Sequence, residues 1–270
     1  MENINEKPRQ RKVASEELDF NQIHKINPFL LKDMHPVYQE AYQKAQGITQ
    51  GKRITMDNQF TNFDLHKDRE KVLQKIEFIN SMKQDEGVFE ATVQADILEA
   101  LVYDMIHNHS WLGENVGAIL PSVYDDLFSG NDIIVSHKTG EATEYSGVGI
   151  DLTLGEVAFM KKLEDTMSRI RGGSLGKVKY FKSEDERFVG ELRSIPHLVI
   201  GVDREKLFKL CRLWINGDYN RLKQDATAKI FIQMMIAQCD EFIKLTNIEN
   251  IIKVYTREKR ILGGVLAKLK

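Results

Sequence analysis

Between Tyr124 and Leu154 the chain reads YDDLFSGNDIIVSHKTGEATEYSGVGIDLTL, the stretch that most constrains the fold. Asp132 opens an apolar run (Ile133, Ile134, Val135). A Gly-containing polar turn follows from Lys138 to Glu144, and a second apolar run from Val148 to Leu154 carries Asp151 at its centre. Two β-type runs joined by turn chemistry predict an antiparallel pair. In the second run, side-chain alternation places Val148, Ile150, Leu152 and Leu154 on one face, and Gly149, Asp151 and Thr153 on the other. A carboxylate flanked by Ile150 and Leu152 is costly to bury as a charge unless a cation or strong donors meet it. If Asp132 and Asp151 converge across the pair, their oxygens suit a hard divalent cation of the Mg²⁺ type. The alternative is that each aspartate is a strand-end residue satisfied by backbone N–H groups.

The rest of the chain reads as support. With 270 residues, 42% hydrophobic and 29% charged, it has material for a substantial core. A formal net charge of −2 excludes a generally basic nucleic-acid coat, so any such contact must come from a local patch. Cys211 and Cys239 lack metal-ligand spacing and read as reduced core residues. No stretch approaches the ~18 continuous apolar residues of a membrane span, and no apolar signal core opens the chain; no membrane contact and a cytoplasmic location are expected.

Residues 1–20 are polar and mixed in charge, a disordered arm by composition. Residues 21–88 read as a helical N-terminal extension, an accessory layer whose second half carries Leu65, Val72, Leu73, Ile76 and Ile79 close to one stripe. Phe89–His109 is the strongest helix of the first half, with Val93, Ile97, Leu101 and Met105 along one face. Glu99 lies within a turn of that stripe and is either a solvated helix carboxylate or aimed at the hairpin acids. His107 and His109, two apart, do not share a helical face and read as helix-end residues. Val116–Leu120 is a short strand. After the hairpin, Glu156–Arg171 is a helix with Val157, Met160, Leu163, Met167 and Ile170 at 3- and 4-residue spacing, returning across the sheet.

The segment RGGSLGKVKYF fails as a P-loop, because Val178 stands where Ser or Thr must bind Mg²⁺ and no strand precedes the glycines. It predicts instead a short strand, Lys177–Phe181, in which Lys179 either snorkels to solvent or turns inward. Pro196–Asp203 is a strand buried on both faces. Asp203 caps a helix over Arg204–Ile215. Residues 218–270 form a C-terminal helical segment of two helices, broken at Gly263–Gly264, whose basic residues either meet phosphate or line a solvated face.

This order of elements, a helix with Glu99, a strand, an Asp132-led strand, a polar hairpin, a strand centred on Asp151, a helix and a buried strand, resembles the PD-(D/E)XK, or restriction-endonuclease-like, nuclease superfamily over roughly Phe89–Asn216. The resemblance implies an α/β fold with a central mixed β-sheet flanked by helices, a core over residues 89–217, and additional N- and C-terminal helices. It implies a Mg²⁺- or Mn²⁺-dependent nuclease acting on nucleic acid, with DNA as the expected partner. Asp132 and Asp151 match the two motif acids; Glu99, less closely Glu90, matches the acid of the preceding helix. Asp126, or Asp125, adds a ligand or holds a water. Asn131 precedes Asp132 where the motif has Pro, and Thr153 occupies the position of the catalytic lysine. Lys179 is the preferred replacement, on a strand expected in the same sheet, ahead of Lys138, Lys161 and Lys162. The alternative implied by Thr153 is a catalytically inactive, nuclease-derived module that binds nucleic acid or protein.

Overall fold

A computed structural model of the chain describes residues 28–82, 85–137, 146–184 and 186–269. The arm over residues 1–20, and the turn Lys138–Glu144 with its candidate Lys138, lie outside the described residues. Four helices come first: α1 (Pro28–Asp33), α2 (Pro36–Thr49), α3 (Leu65–Met82) and α4 (Glu86–His107). Then follow β1 (Val116–Ile119), α5 (Val123–Ser129), β2 (Ile133–His137), β3 (Ser146–Leu154) and α6 (Glu156–Arg171). Strands β4 (Gly176–Lys182), β5 (Val189–Ile195) and β6 (His197–Val202) precede α7 (Arg204–Ile215), α8 (Tyr219–Gln224), α9 (Thr227–Lys244) and α10 (Glu249–Leu266).

The protein is α/β, with a mixed four-stranded sheet in the order β1-β2-β3-β6 flanked by helices. Strands β1 and β2, and β2 and β3, pair antiparallel; β3 and β6 pair parallel. The antiparallel pair at the hairpin is the one the two apolar runs imply. A parallel pair needs a long crossover, which α6 and the β4–β5 hairpin together supply. Among the described residues no helix is long and apolar enough to cross a membrane.

Alternation divides the sheet into two unlike faces. Val148, Ile150 and Leu152 join Ile133, Val135 and Leu198 in the larger core, against α2, α4, α7, α9 and α10. Each such side chain contributes about 1.5–3 kcal/mol on burial. The opposite face carries Ile134 of β2, Gly149, Asp151 and Thr153 of β3, and His197 of β6, in register with Gly149. A smaller core covers part of it, built from Ile134, Val72, Ile76, Val178 and Tyr180.

Two glycines let polar and aromatic groups approach this second face. A Cβ at Gly149 would stand 1.9 Å from Asn131 Oδ1, and one at Gly201 would stand 2.8 Å from the ring of Phe159 on α6. Asn131 is fully buried and pinned by a hydrogen bond from its Nδ2 to the Lys177 carbonyl (3.1 Å), so it has nowhere to retreat. Gly149→Ala is therefore expected to destabilise the protein by about 1–3 kcal/mol through overpacking, read as a shift in the midpoint of chemical unfolding.

Several local expectations are corrected. Strand β4 does not join the central sheet: it pairs with β5 in a separate two-stranded sheet, so Lys179 lies off the strand plane of Asp151. Strand β5 carried no periodic apolar signal, having Glu191, Arg193 and Ser194 within seven residues. The region after Asp218 contains three helices rather than two, and α10 runs unbroken through Gly263 and Gly264. On α6, Val157 and Met160 are 87% and 54% exposed, so that apolar stripe does not face the sheet at its first turns. The face presented there is Phe159, Lys162, Thr166 and Arg169, spaced three and four apart.

Candidate functional site

The site forms where β2 begins, β3 is central, and α6 crosses above. Strand β2 begins at Ile133, which pairs with Ile150, and Asp132 stands just before it, near enough to Asp151 for the two charges to repel. The Asp132 N–H donates to the Ile150 carbonyl at 2.9 Å, one residue out of the β2–β3 register, and its Oδ2 accepts from the Leu152 N–H at 2.6 Å. Asp151 is buried, and its Oδ1 accepts from the Lys162 ammonium; Lys162 also donates to the Leu152 carbonyl at 2.9 Å. Among the described residues, Asp132 Oδ1 and Asp151 Oδ2 accept no hydrogen bond.

Burial raises the Asp132 carboxyl well above the usual carboxylate range, and the charges of Asp126 and Asp151 push it further. Burial likewise raises Asp151, although Lys162 opposes that rise. Burial pulls Lys162 down, but Asp132 and Asp151 together outweigh it and hold the ammonium above its ordinary value. The cluster therefore keeps a desolvated pair of acids against one nearby lysine.

A raised folded-state pKa means that the folded protein binds more protons than the unfolded chain, from about pH 4, the free carboxyl value, up to the raised value. Stability falls as pH rises through that window. Asp132→Asn is expected to raise stability at neutral pH by about 0.5–2 kcal/mol, with the gain shrinking toward acid pH. Urea unfolding of the variant at the two pH extremes measures this; a loss of stability at neutral pH would contradict it.

The remaining predicted residues are distributed around this centre. Glu99 of α4 is buried rather than solvated, and both its oxygens accept from Arg53 Nη2, at 2.6 and 2.8 Å. Asp126 of α5 also meets Arg53 Nη2, at 3.3 Å. These two acids share an arginine, while Asp132 and Asp151 lie near enough to repel. Among the described residues no three His, Cys, Asp or Glu side chains gather as a metal cage. Thr153 is buried two residues beyond Asp151 on the same face.

Lys179 is directed elsewhere. Its ammonium pairs with Asp68 of α3 and lies 5.0–5.5 Å from the ring centres of Phe63, Tyr124 and Tyr180. Asp125 serves β4: a bulge leaves the Lys179 and Tyr180 N–H groups outside the β4–β5 ladder, and the Asp125 carboxylate accepts from them at 2.6 and 2.9 Å. His107 Nδ1 contacts the Ala118 carbonyl at 3.1 Å and His109 stacks on Tyr219, both as helix-end residues.

Arg53 gave no sequence signal, because it stands alone in an irregular segment between α2 and α3. That segment is anchored by the Ile54 N–H to the Leu120 carbonyl at the end of β1 (3.2 Å). Asn131 and His197 gave no signal either; only the close approach of Asn131 to Gly149 and the β3–β6 register bring them here. Lys162 had a usable signal in the spacing Phe159, Lys162, Thr166, Arg169. No family model matches the chain, and no curated protein or solved structure matches it, so the functional reading rests on this geometry.

Proposed function

We propose that the protein is a metal-dependent nuclease that hydrolyses phosphodiester bonds of nucleic acid, with DNA as its substrate. The observation carrying this reading is the placement of Lys162. Thr153 leaves the motif without its lysine, and α6 brings an ammonium to Asp151 and to the Leu152 carbonyl from the next element. The resemblance allows for a lysine supplied from a neighbouring helix. The order α4, β1, β2, β3, α6, β6 around a mixed sheet supports the same reading.

The residues present fit a hard divalent cation. Asp132 and Asp151 repel each other in a desolvated setting, each keeps one oxygen without a hydrogen bond among the described residues, and Mg²⁺ is commonly held by one or two carboxylates with waters and substrate phosphate completing its shell. Asp132 and Asp151 would hold it, and when bound it supplies Lewis-acid polarisation of the phosphoryl oxygen and a more acidic water. Lys162 orients the attacking water and meets the negative charge that develops on the phosphoryl oxygens. The Leu152 backbone fixes the pair's geometry, since its N–H holds Asp132 and its carbonyl holds Lys162.

One observation favours a second reading. The Lys162 ammonium already meets Asp151 directly, which neutralises that carboxylate without a metal and suits an inactive module that binds nucleic acid or protein. Linear duplex, closed circular duplex, single-stranded DNA and RNA incubated with Mg²⁺, Mn²⁺ or EDTA separate the two. Cation-dependent cutting of DNA is the expected result. Binding without cutting selects the inactive module. A native-state site for the cation must also raise the melting temperature in Mg²⁺ relative to EDTA, and Asp151→Asn must abolish that rise.

A further inference from the structure

Beyond the hydrolytic centre, α6 carries a second cation that is held in place by neutral partners. Arg169 lies seven residues after Lys162 on the same helix, about 10 Å further along its axis. Its Nη2 donates to Thr166 Oγ1 at 3.0 Å and to His197 Nδ1 at 3.3 Å. The His197 ring is buried, and its Nε2 lies 2.8 Å from the Gly130 carbonyl, which can only accept. Nε2 therefore carries the proton, which leaves Nδ1 as the acceptor that Arg169 requires. Burial and the Arg169 charge both lower the pKa of His197, to about 4, which keeps the ring in this acceptor form at neutral pH.

Arg169 is exposed, and among the described residues it forms no ion pair with a carboxylate. Fixing a long exposed side chain costs rotamer entropy, and among the described residues no carboxylate in direct contact offsets that cost; the Arg169 charge reaches Asp151 only at longer range, lowering its carboxyl. The guanidinium still has donors on Nε and Nη1, in the planar fork that matches phosphate oxygens. It borders the hydrolytic centre: a Cβ at Gly130 would lie 3.6 Å from Asp151 Oδ2 and 3.8 Å from His197 Nε2.

We propose that Arg169, clamped by Thr166 and His197, anchors a backbone phosphate beside the scissile one, so that the bound strand runs along α6 from Lys162 to Arg169. This rests on the nuclease reading and names the residue that sets where the strand lies. Arg169 is a positioning residue, since it meets a phosphate that does not react.

The test uses a fluorescein-labelled duplex of DNA, bound in EDTA so that no cutting intervenes, with affinity followed by anisotropy across a salt series. Arg169→Gln is expected to weaken binding about tenfold and to reduce the salt slope by about one. Thr166→Val, which keeps the charge but loosens the clamp, is expected to weaken it about threefold with the slope unchanged. In Mg²⁺, Arg169→Gln raises KM and leaves kcat, a split that a merely structural role would not produce. If Arg169→Gln fails to fold, single neutral methylphosphonates stepped along the duplex test the native protein: one position next to the cut must weaken binding. Native protein that binds and cuts, with Arg169→Gln equal to it in affinity and slope, or with no methylphosphonate position that matters, overturns this inference alone. Native protein that neither binds nor cuts overturns the nuclease reading and this inference with it.

Discussion

Lys162→Ala is expected to lower the rate of phosphodiester cleavage by about 10²–10³-fold, the usual effect of deleting one preorganised group that stabilises charge in the transition state. Lys179→Ala is expected to leave that rate unchanged. The contrast follows from where the two ammonium groups lie. Lys162 reaches Asp151 and the Leu152 carbonyl across the face of β3. Lys179 is enclosed by Phe63, Tyr124 and Tyr180 and paired with Asp68, on a sheet of its own with β5. Single-turnover cleavage by both variants, with melting temperatures matched, measures this. Equal loss in the two variants, or a loss confined to Lys179→Ala, would contradict the assignment.

The second large effect concerns stability. Asp68 is buried, accepts from Lys179 and from the Tyr180 hydroxyl (2.7 Å), and thereby fastens α3 to β4. Removing one partner of a buried pair leaves the other uncompensated. Because Lys179 stays 24% exposed, Asp68→Ala is expected to cost about 3 kcal/mol, at the lower end of the range for such pairs. The same network carries a pH dependence. Burial raises the Asp68 carboxyl, but the hydrogen bonds from Lys179, Tyr180 and Lys71 outweigh it and hold the group below the usual range. A depressed folded-state pKa means that the stabilisation is complete above about pH 4 and is lost as pH falls through the folded value. Urea unfolding should show the native protein converging on Asp68→Ala in strong acid; a constant gap between them would contradict the role given to the carboxylate.

The contrast between the two lysines also marks what the sequence could and could not convey. The β2–β3 pair was legible because both runs alternate and because two aspartates interrupt apolar surroundings where a charge needs a partner. The partition of β3 into an apolar and an acidic face follows from the same alternation, and Val148, Ile150 and Leu152 do enter the larger core. Which sheet a strand joins is not written in the strand itself. Lys177–Phe181 reads the same whether it extends the central sheet or pairs with β5, and β5 concealed itself with Glu191, Arg193 and Ser194.

Helix α6 misled only at its first turns, since Leu163, Met167 and Ile170 of the expected stripe do pack on the larger core. Its regularly spaced Val157 and Met160 point to solvent, whereas Phe159, Lys162, Thr166 and Arg169 cover an acidic face that requires polar partners. An amphipathic pattern predicts the inward side only when that side is apolar. Arg53, which joins Glu99 to Asp126, has no periodic context at all and emerges only when its segment is tied to β1. Such departures from pattern concentrate where a fold carries function.

The most direct measurement is the Mg²⁺-dependent cleavage of a linear DNA duplex by the native protein set beside Asp151→Asn, which keeps the shape of the side chain and removes its charge. Cutting by the native protein that disappears in the variant, with the fold retained, is the predicted result. Undiminished cutting by Asp151→Asn, or none by the native protein on any nucleic acid, would contradict the assignment of the Asp132–Asp151–Lys162 centre.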